Sequence, residues 1–421
     1  MSSIAPAERQ HVPPVVYEHQ PSHSLLKPVL EREMEMLRDA HGGIIRARFP
    51  YGSYPHGSSE GWIAIGYEEA RWAFSDPRFG LFGHRSHDYP RMLINQADKP
   101  PRPLSFIMMD GKDHLVRRRL VSKHLTSRHV RDLRPAIERI VDSALDDVIA
   151  AGPGADMIAL FSKIIPISVV CHLLGAPLDE RDQFVPAAIA QSHGLVTSVE
   201  ESEANILMIS RYFQGLAAQR RAAPRGDFLS DLIADADAQG WAEEEVDGIG
   251  HTLLSAGHDA PSSILGGMIH VLAHRPDLFA QLRERRDDLR SPVEEFLRYL
   301  PAGTGTRTRI ANEDIDAFGV NIRKGDVVQP LVHAANYDPA RFDSPDEIDL
   351  DRVDNHHLRF AFGPHACPGA HIARLELEIA LRRVLERFSS LTATDGLAPA
   401  DWLAGIYVRG PRELAVEWTL A

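Results

Sequence analysis

Residues 360–369 read Phe-Ala-Phe-Gly-Pro-His-Ala-Cys-Pro-Gly, a turn rich in glycine and proline that presents one cysteine just before an apolar-periodic stretch. Within 370–388, Ile372, Leu375, Ile379 and Phe388 recur at near-helical spacing, which predicts Cys367 at a helix N-terminus. Free backbone N–H groups and the positive end of the helix dipole favour a thiolate at such a place. Gly363 and Gly369 carry no side chain and let the backbone approach a flat partner. A thiolate held in a turn of this kind is what a thiolate-ligated haem iron needs, although a lone cysteine in a Gly/Pro turn also suits ordinary core packing. The rest of the chain has to decide between the two.

With 421 residues there is room for two or three domains and for a core that encloses a cofactor. No long Gly/Ser linker, low-complexity block or obvious repeat marks a boundary, so one domain over 1–421 is expected, with 1–30 as an extended N-terminal segment. The net charge of −13 argues against a nucleic-acid surface and does not favour an anionic membrane. The most apolar stretch, 157–176, is interrupted by Lys163 and Pro166, and residues 1–30 are polar and proline-containing, so neither an anchor nor a signal core is visible and a cytoplasmic location is expected. Only two cysteines occur; Cys171, inside the apolar run 164–174, reads as a core residue. A disulfide with Cys171 would consume Cys367, and two cysteines alone make no ordinary zinc site.

Periodicity predicts mainly α structure with minor β. A short strand over 61–65 is followed by a helix over 67–75 and a long irregular segment over 80–109. Helices are expected over 112–125, 127–151, 159–174 and 200–223, and the longest over 242–274, stopping at Arg275-Pro276. Pro261 is expected to open or kink that longest helix, because it cannot donate to the carbonyl of Gly257. Ser291-Pro292-Val293-Glu294 reads as a capping box that opens the helix of Glu295 and Arg298. Short β segments follow over 315–322, 327–333 and 406–418, the last with a turn at Gly410-Pro411.

Several polar pairs stand out. Glu295 and Arg298 share a helix face, and so do His114 and Arg118. Arg117, Arg119 and Lys123 add a positive patch to an otherwise acidic chain. Taken singly, each reads equally as a solvated surface group.

The spacing Phe-x-x-Gly-x-His-x-Cys-x-Gly of Phe360, Gly363, His365, Cys367 and Gly369 resembles the haem-binding loop of the cytochrome P-450 family, and other elements resemble that family in order. The resemblance implies the family's mainly α fold, with small sheets and a long central helix crossing one haem b whose axial ligand is Cys367. It makes Glu295, Arg298 and Arg352 a structural brace, and gives His114, Arg118, Arg309 and His365 to the haem propionates. Ala256-Gly257-His258-Asp259-Ala260-Pro261 matches the family's Ala-Gly-x-Asp/Glu-Thr element except that Ala260 replaces threonine. Gly257, Asp259 and Ala260 are therefore the candidate catalytic positions, with Asp259 as proton relay.

The implied activity is oxygenation or oxidative coupling of a small organic substrate, with dioxygen and electrons from NAD(P)H. An acidic ferredoxin and its reductase would deliver these electrons to a monomeric enzyme, the ferredoxin docking on Arg117, Arg119 and Lys123. Leu253, Leu254, Ala256, Thr304 and Ile406, with the segments 81–109 and 302–306, are the expected substrate lining. A natural-product intermediate is the favoured substrate class. The same loop would also serve a haem-thiolate sensor or gas-binding protein without turnover, and Cys367 with His365 would suit, less well, a cysteine hydrolase.

Overall fold

The computed structural model describes residues 17–18, 27–48, 60–81, 106–187, 199–301, 308–394, 402–404 and 409–421. Its longest element is the central helix Glu243–His274, 32 residues, or ~48 Å at ~1.5 Å per residue. Three glutamates occupy its first turn, at the positive end of the dipole, and the Glu245 carboxylate accepts the N–H of Ala242 at 3.2 Å. The helix runs through Pro261 without interruption, so the expected opening there is not seen. Packing on both flanks of the proline explains why one lost backbone bond is tolerated.

On the N-terminal flank, Val246, Ile249 and Leu254 belong to a core shared with helices Ile164–Leu174, Val199–Ala222 and Phe228–Ala238. On the C-terminal flank, Ile264, Leu265, Met268, Ile269 and Leu272 belong to another, shared with Arg134–Ala151, Arg290–Tyr299 and Ala370–Arg387. Each such side chain contributes about 1.5–3 kcal/mol on burial, so both halves are anchored independently. Between the two cores Ala256 and Ala260, one turn apart, are exposed, and Gly257 and Pro261 partly so. The middle of the central helix thus carries small residues that neither core covers.

The sheets are small. The largest has the order Tyr17–Glu18, Ile44–Arg48, Glu60–Ala64, Val327–Pro330, Arg309–Ala311, Phe79–Gly80. Ile315–Ala317 and Val320–Ile322 form a hairpin whose central residues Phe318 and Gly319 both have positive φ, 50° and 77°, as a tight two-residue turn requires. The mainly α class with minor β holds.

Five expectations change in detail, the first being that the β segment over 327–333 is a strand, Val327–Pro330, followed by a short helix, Val332–Asn336. The helix over 127–151 is two helices, Ser127–Asp132 and Arg134–Ala151, because Pro135 cannot donate to the carbonyl of Arg131. The segment over 159–174 starts as a π-turn, with Lys163 N–H bonded to Ile158 at 3.0 Å; Pro166, which lacks an N–H and crowds the carbonyl of Ser162, forbids a regular helix through this point. The Ser291 capping box does not form: the helix begins at Arg290, and Glu294 is bound elsewhere. Gly410-Pro411 is no turn but part of a strand, Arg409–Pro411, paired with Trp402–Ala404.

Beneath the cysteine loop lies a fully buried brace. Arg298 donates to both Glu295 oxygens at 2.9 and 2.7 Å and to the carbonyls of Asn336, Pro345 and Glu347. Arg352 Nε adds 3.1 and 3.2 Å contacts to the same carboxylate, and Asn355 a 3.0 Å bond. A buried ion pair persists only when its lone pairs and protons are satisfied in this way.

Candidate active site

Cys367 lies two residues before the N-cap of helix Ala370–Arg387, and its N–H donates to the Phe360 carbonyl at 2.8 Å. Gly363 takes φ +73°, and a Cβ there would stand 3.0 Å from the carbonyl of Phe74, so this turn admits glycine and little else. The Cys367 side chain is exposed, and its neighbours act on the thiol in opposite directions: burial pushes the Cys367 pKa up, while the Gly369 backbone and the charges of Arg118 and Arg374 pull it down. Ile372, five residues on, packs against both cores. The helix that follows the cysteine loop therefore begins where the two cores meet.

Around the thiol a polar cluster converges. His114 is 1% exposed, its Nε2 has no hydrogen-bond partner among the described residues, and its ring stacks on His365 at 4.0 Å between centroids. Burial first, then the neighbouring His365 and Arg118, push the His114 pKa down to about 4. His365 Nε2 lies 3.3 Å from Asp110 Oδ1, and Asp110 also accepts the N–H of Leu81 at 2.5 Å. Burial alone would raise the Asp110 pKa, but the His365 and Leu81 bonds and the charges of His365 and Arg309 hold it low. Burial depresses the Arg118 pKa, and Cys367 partly offsets this. The buried Arg309 guanidinium sits over the Phe74 ring at 5.3 Å.

The orphaned His114 Nε2 and the half-buried Arg118, whose charge acts on Cys367, suit a ligand with carboxylates at its edge, and Arg309 adds a second cation near Asp110. Haem b fits this donor set. The residues that would hold it are Cys367 at the iron, with His114, Arg118, Arg309 and His365 at the propionates; Phe360, Gly363 and Gly369 shape the loop.

On the central helix, His258 Nδ1 is 3.1 Å from Asp259 Oδ1 and both side chains are buried. The Ser262 hydroxyl donates back to the His258 carbonyl at 2.8 Å, and Ser263 packs against the strand at Gly410, so neither replaces the hydroxyl missing at Ala260. Leu253 is partly buried, but Leu254 is 0% exposed and wholly in the core, about 200° around the helix from Ala256; its assignment to the substrate lining is corrected. Thr304 and Ile406 lie outside the described residues, as do most of 81–109 and all of 302–306.

Within the expected docking patch, Arg117 pairs with Glu245 and lies over Trp241 at 5.1 Å, and the half-exposed Lys123 pairs with Asp235. Arg119 remains exposed. Sequence reasoning missed Asp110, whose only signal is its place at the N-cap of the His114 helix, and Arg374, seven residues after Cys367.

The fold and the donor set around Cys367 suit a haem-binding enzyme. Residues 213–406 match the family described as Cytochrome P-450. The chain is 34% identical over 376 residues to the nocardicin C N-oxygenase of Nocardia uniformis subsp. tsuyamanensis, covering 89% of this chain and 92% of that one. It is 34% identical over 377 residues to the mycinamicin IV hydroxylase/epoxidase of Micromonospora griseorubida, again covering 89% and 92%. Among solved structures, the cytochrome P-450 hydroxylase LnmA of the leinamycin biosynthetic pathway of Streptomyces atroolivaceus S-140 superimposes with a TM-score of 0.82 at 34% identity, over 96% of this chain and 99% of that one. The chain belongs to the cytochrome P-450 family. It is a monooxygenase-type oxidoreductase that uses haem b, dioxygen and electrons from redox partners. No described helix is long and apolar enough to cross a membrane.

Proposed function

We propose that Cys367 is the axial thiolate and that the enzyme hydroxylates, epoxidises or oxidatively couples a natural-product intermediate. The observation that carries this is the exposed thiol ahead of the helix that begins where the two cores meet, with the orphaned His114 nitrogen and the Arg118 charge that acts on the thiol. The two relatives named above, which act on nocardicin C and mycinamicin IV, support the substrate class. Bound haem supplies dioxygen activation at the cost of two external electrons.

The chain's own residues bind, orient and handle protons. His114, Arg118 and Arg309 neutralise the carboxylate edge of the haem. Ala256, Gly257 and Ala260 leave room beside it for substrate and water. Asp259, with its carboxylate 3.1 Å from His258 Nδ1, relays protons; with no hydroxyl at Ala260, they pass through water or through a polar group of the substrate. The whole chain 1–421 forms one such haem domain, cytoplasmic and monomeric. Its electrons come from NAD(P)H through a ferredoxin reductase and an acidic ferredoxin that meets the exposed Arg119.

The reduced carbon monoxide complex tests the reading. The wild type should show the red-shifted Soret band of a thiolate ligand, Cys367→Ser should lose it, and a thiolate band in Cys367→Ser would refute the assignment. Asp259→Asn should slow turnover at least about tenfold, or ~1.4 kcal/mol of barrier, with haem retained. Electron consumption that does not depend on any added substrate would favour the sensor instead.

A further inference from the structure

Helix Arg290–Tyr299 and the first turns of helix Ala370–Arg387 are joined by an ion pair that reaches the cysteine loop. Arg374 donates to Glu294 from Nε at 2.6 Å and from Nη2 at 2.9 Å, the forked geometry that fixes a guanidinium plane. The buried His357 Nε2 is 3.1 Å from the second Glu294 oxygen. The other side of the Arg374 guanidinium lies over the Phe360 ring, 4.5 Å from its centroid. Phe360 in turn accepts the N–H of Cys367 at 2.8 Å. Every link from Glu294 to the thiol is therefore a direct contact or a single bond.

We infer that Arg374 is a positioning residue that sets the reduction potential of the haem through Phe360 and Cys367, and that Glu294 limits its influence. The inference rests on Cys367 being the axial ligand. Reduction of ferric to ferrous haem takes one electron from the external donor and adds one negative charge at the site. A fixed cation near the thiolate favours the more negative, reduced state, and a carboxylate that neutralises the cation opposes it. The Arg374 side chain is 37% exposed, so solvent screens part of this field, and a modest effect is expected.

Potentiometric titration of the holoprotein reads the effect directly. Arg374→Gln should shift the ferric/ferrous equilibrium about threefold toward ferric, ~28 mV downward at ~59 mV per decade for one electron. Glu294→Gln, which leaves the cation unneutralised, should shift it upward. Arg374→Lys keeps the charge but loses the fork and the flat stack, and should fall between Arg374→Gln and wild type.

Opposite signs for the first two variants are the signature, since loosened packing alone would not move them apart. If Arg374→Gln yields no holoprotein, the upward shift in Glu294→Gln decides alone. Equal potentials in wild type and Glu294→Gln, or shifts of the same sign in both variants, with a thiolate-type carbon monoxide band throughout, overturn the role of Arg374 only. A wild-type band without thiolate character overturns the ligand assignment and this inference together.

Discussion

On the side of the cysteine loop, charges are held by several partners at once. Glu295 accepts from Arg298, Arg352, Asn355 and the Asp349 backbone, and Glu294 from Arg374 and His357. On the central helix the opposite holds. Between 256 and 261 the uncovered face of the helix offers two alanines, a glycine, and a proline with no N–H to give, while His258 and Asp259 are buried. The loop must present one sulfur atom at one place, and over-determined polar contacts do that. The helix must admit a substrate, dioxygen and water, and it does so by shedding side-chain volume and fixed donors while its two ends stay anchored in separate cores. Rigidity and vacancy are thus divided between two elements, and substitutions on the two sides should differ sharply in effect.

The largest effect belongs to the brace. Glu295→Ala leaves the fully buried Arg298 charge without its counter-ion and should destabilise the fold by about 3–5 kcal/mol, enough to abolish haem-containing protein in a thermal melt or on purification. Ala260→Ser should change stability by less than about 0.5 kcal/mol. Equal melting losses at the two sites would dissolve the contrast.

A buried carboxyl on the helix that follows the loop is not fully satisfied, and it sharpens the comparison. Glu376 is 1% exposed, its Oε1 has no hydrogen-bond partner among the described residues, and burial pushes its pKa up to about 8. A carboxyl whose folded pKa lies above the ordinary 4.5 binds its proton more tightly in the folded state. Its contribution to stability is complete below pH ~4.5 and is lost as pH rises through ~8. Glu376→Gln should match wild type at pH 5 and exceed it by on the order of 1–2 kcal/mol at pH 9. Parallel curves of melting temperature against pH would mean that Glu376 is ionised and paired.

Much of this was legible in the sequence, and the rest was hidden for identifiable reasons. The Phe360–Gly369 segment announced the thiol because glycine spacing and a lone cysteine are local signals. The central helix was read to within one residue at its start because thirty residues of apolar period outweigh one proline. Pro135 and Pro166 broke helices that periodicity alone had joined. Partners of charged residues were not legible: Arg117 and Lys123 pair with Glu245 and Asp235, more than a hundred positions away. Leu254 was placed in the lining because its neighbours are there, and a 200° turn of the helix puts it in the core instead.

The propionate cluster comes next in size. Arg118→Ala and Arg309→Ala each leave a carboxylate of the haem without its charged donor, and each should speed haem transfer to an acceptor protein severalfold, about 1 kcal/mol per variant. The loop fold should survive, since neither residue belongs to the Glu295 brace. Unchanged transfer rates in both variants would move the propionates elsewhere and leave the orphaned His114 nitrogen unexplained.

The smallest effect is expected at Ala260, where the helix side is tested on its own terms. The exposed methyl group borders the space left for water, and the Ser262 hydroxyl is already committed to the His258 carbonyl. Ala260→Thr adds one hydroxyl and one methyl to that space. It does so next to a proline that fixes the local backbone, so the new hydroxyl has no freedom to adjust its aim. If protons leave Asp259 through water or a substrate group, the added side chain displaces part of that route, and product formed per reducing equivalent should fall about twofold, ~0.4 kcal/mol. Haem content and thermal stability should stay at wild-type values, because no loop-side contact is touched. A rise in product per reducing equivalent would show instead that the helix was short of a fixed donor, and that the vacancy at position 260 limits oxygen activation rather than serving it.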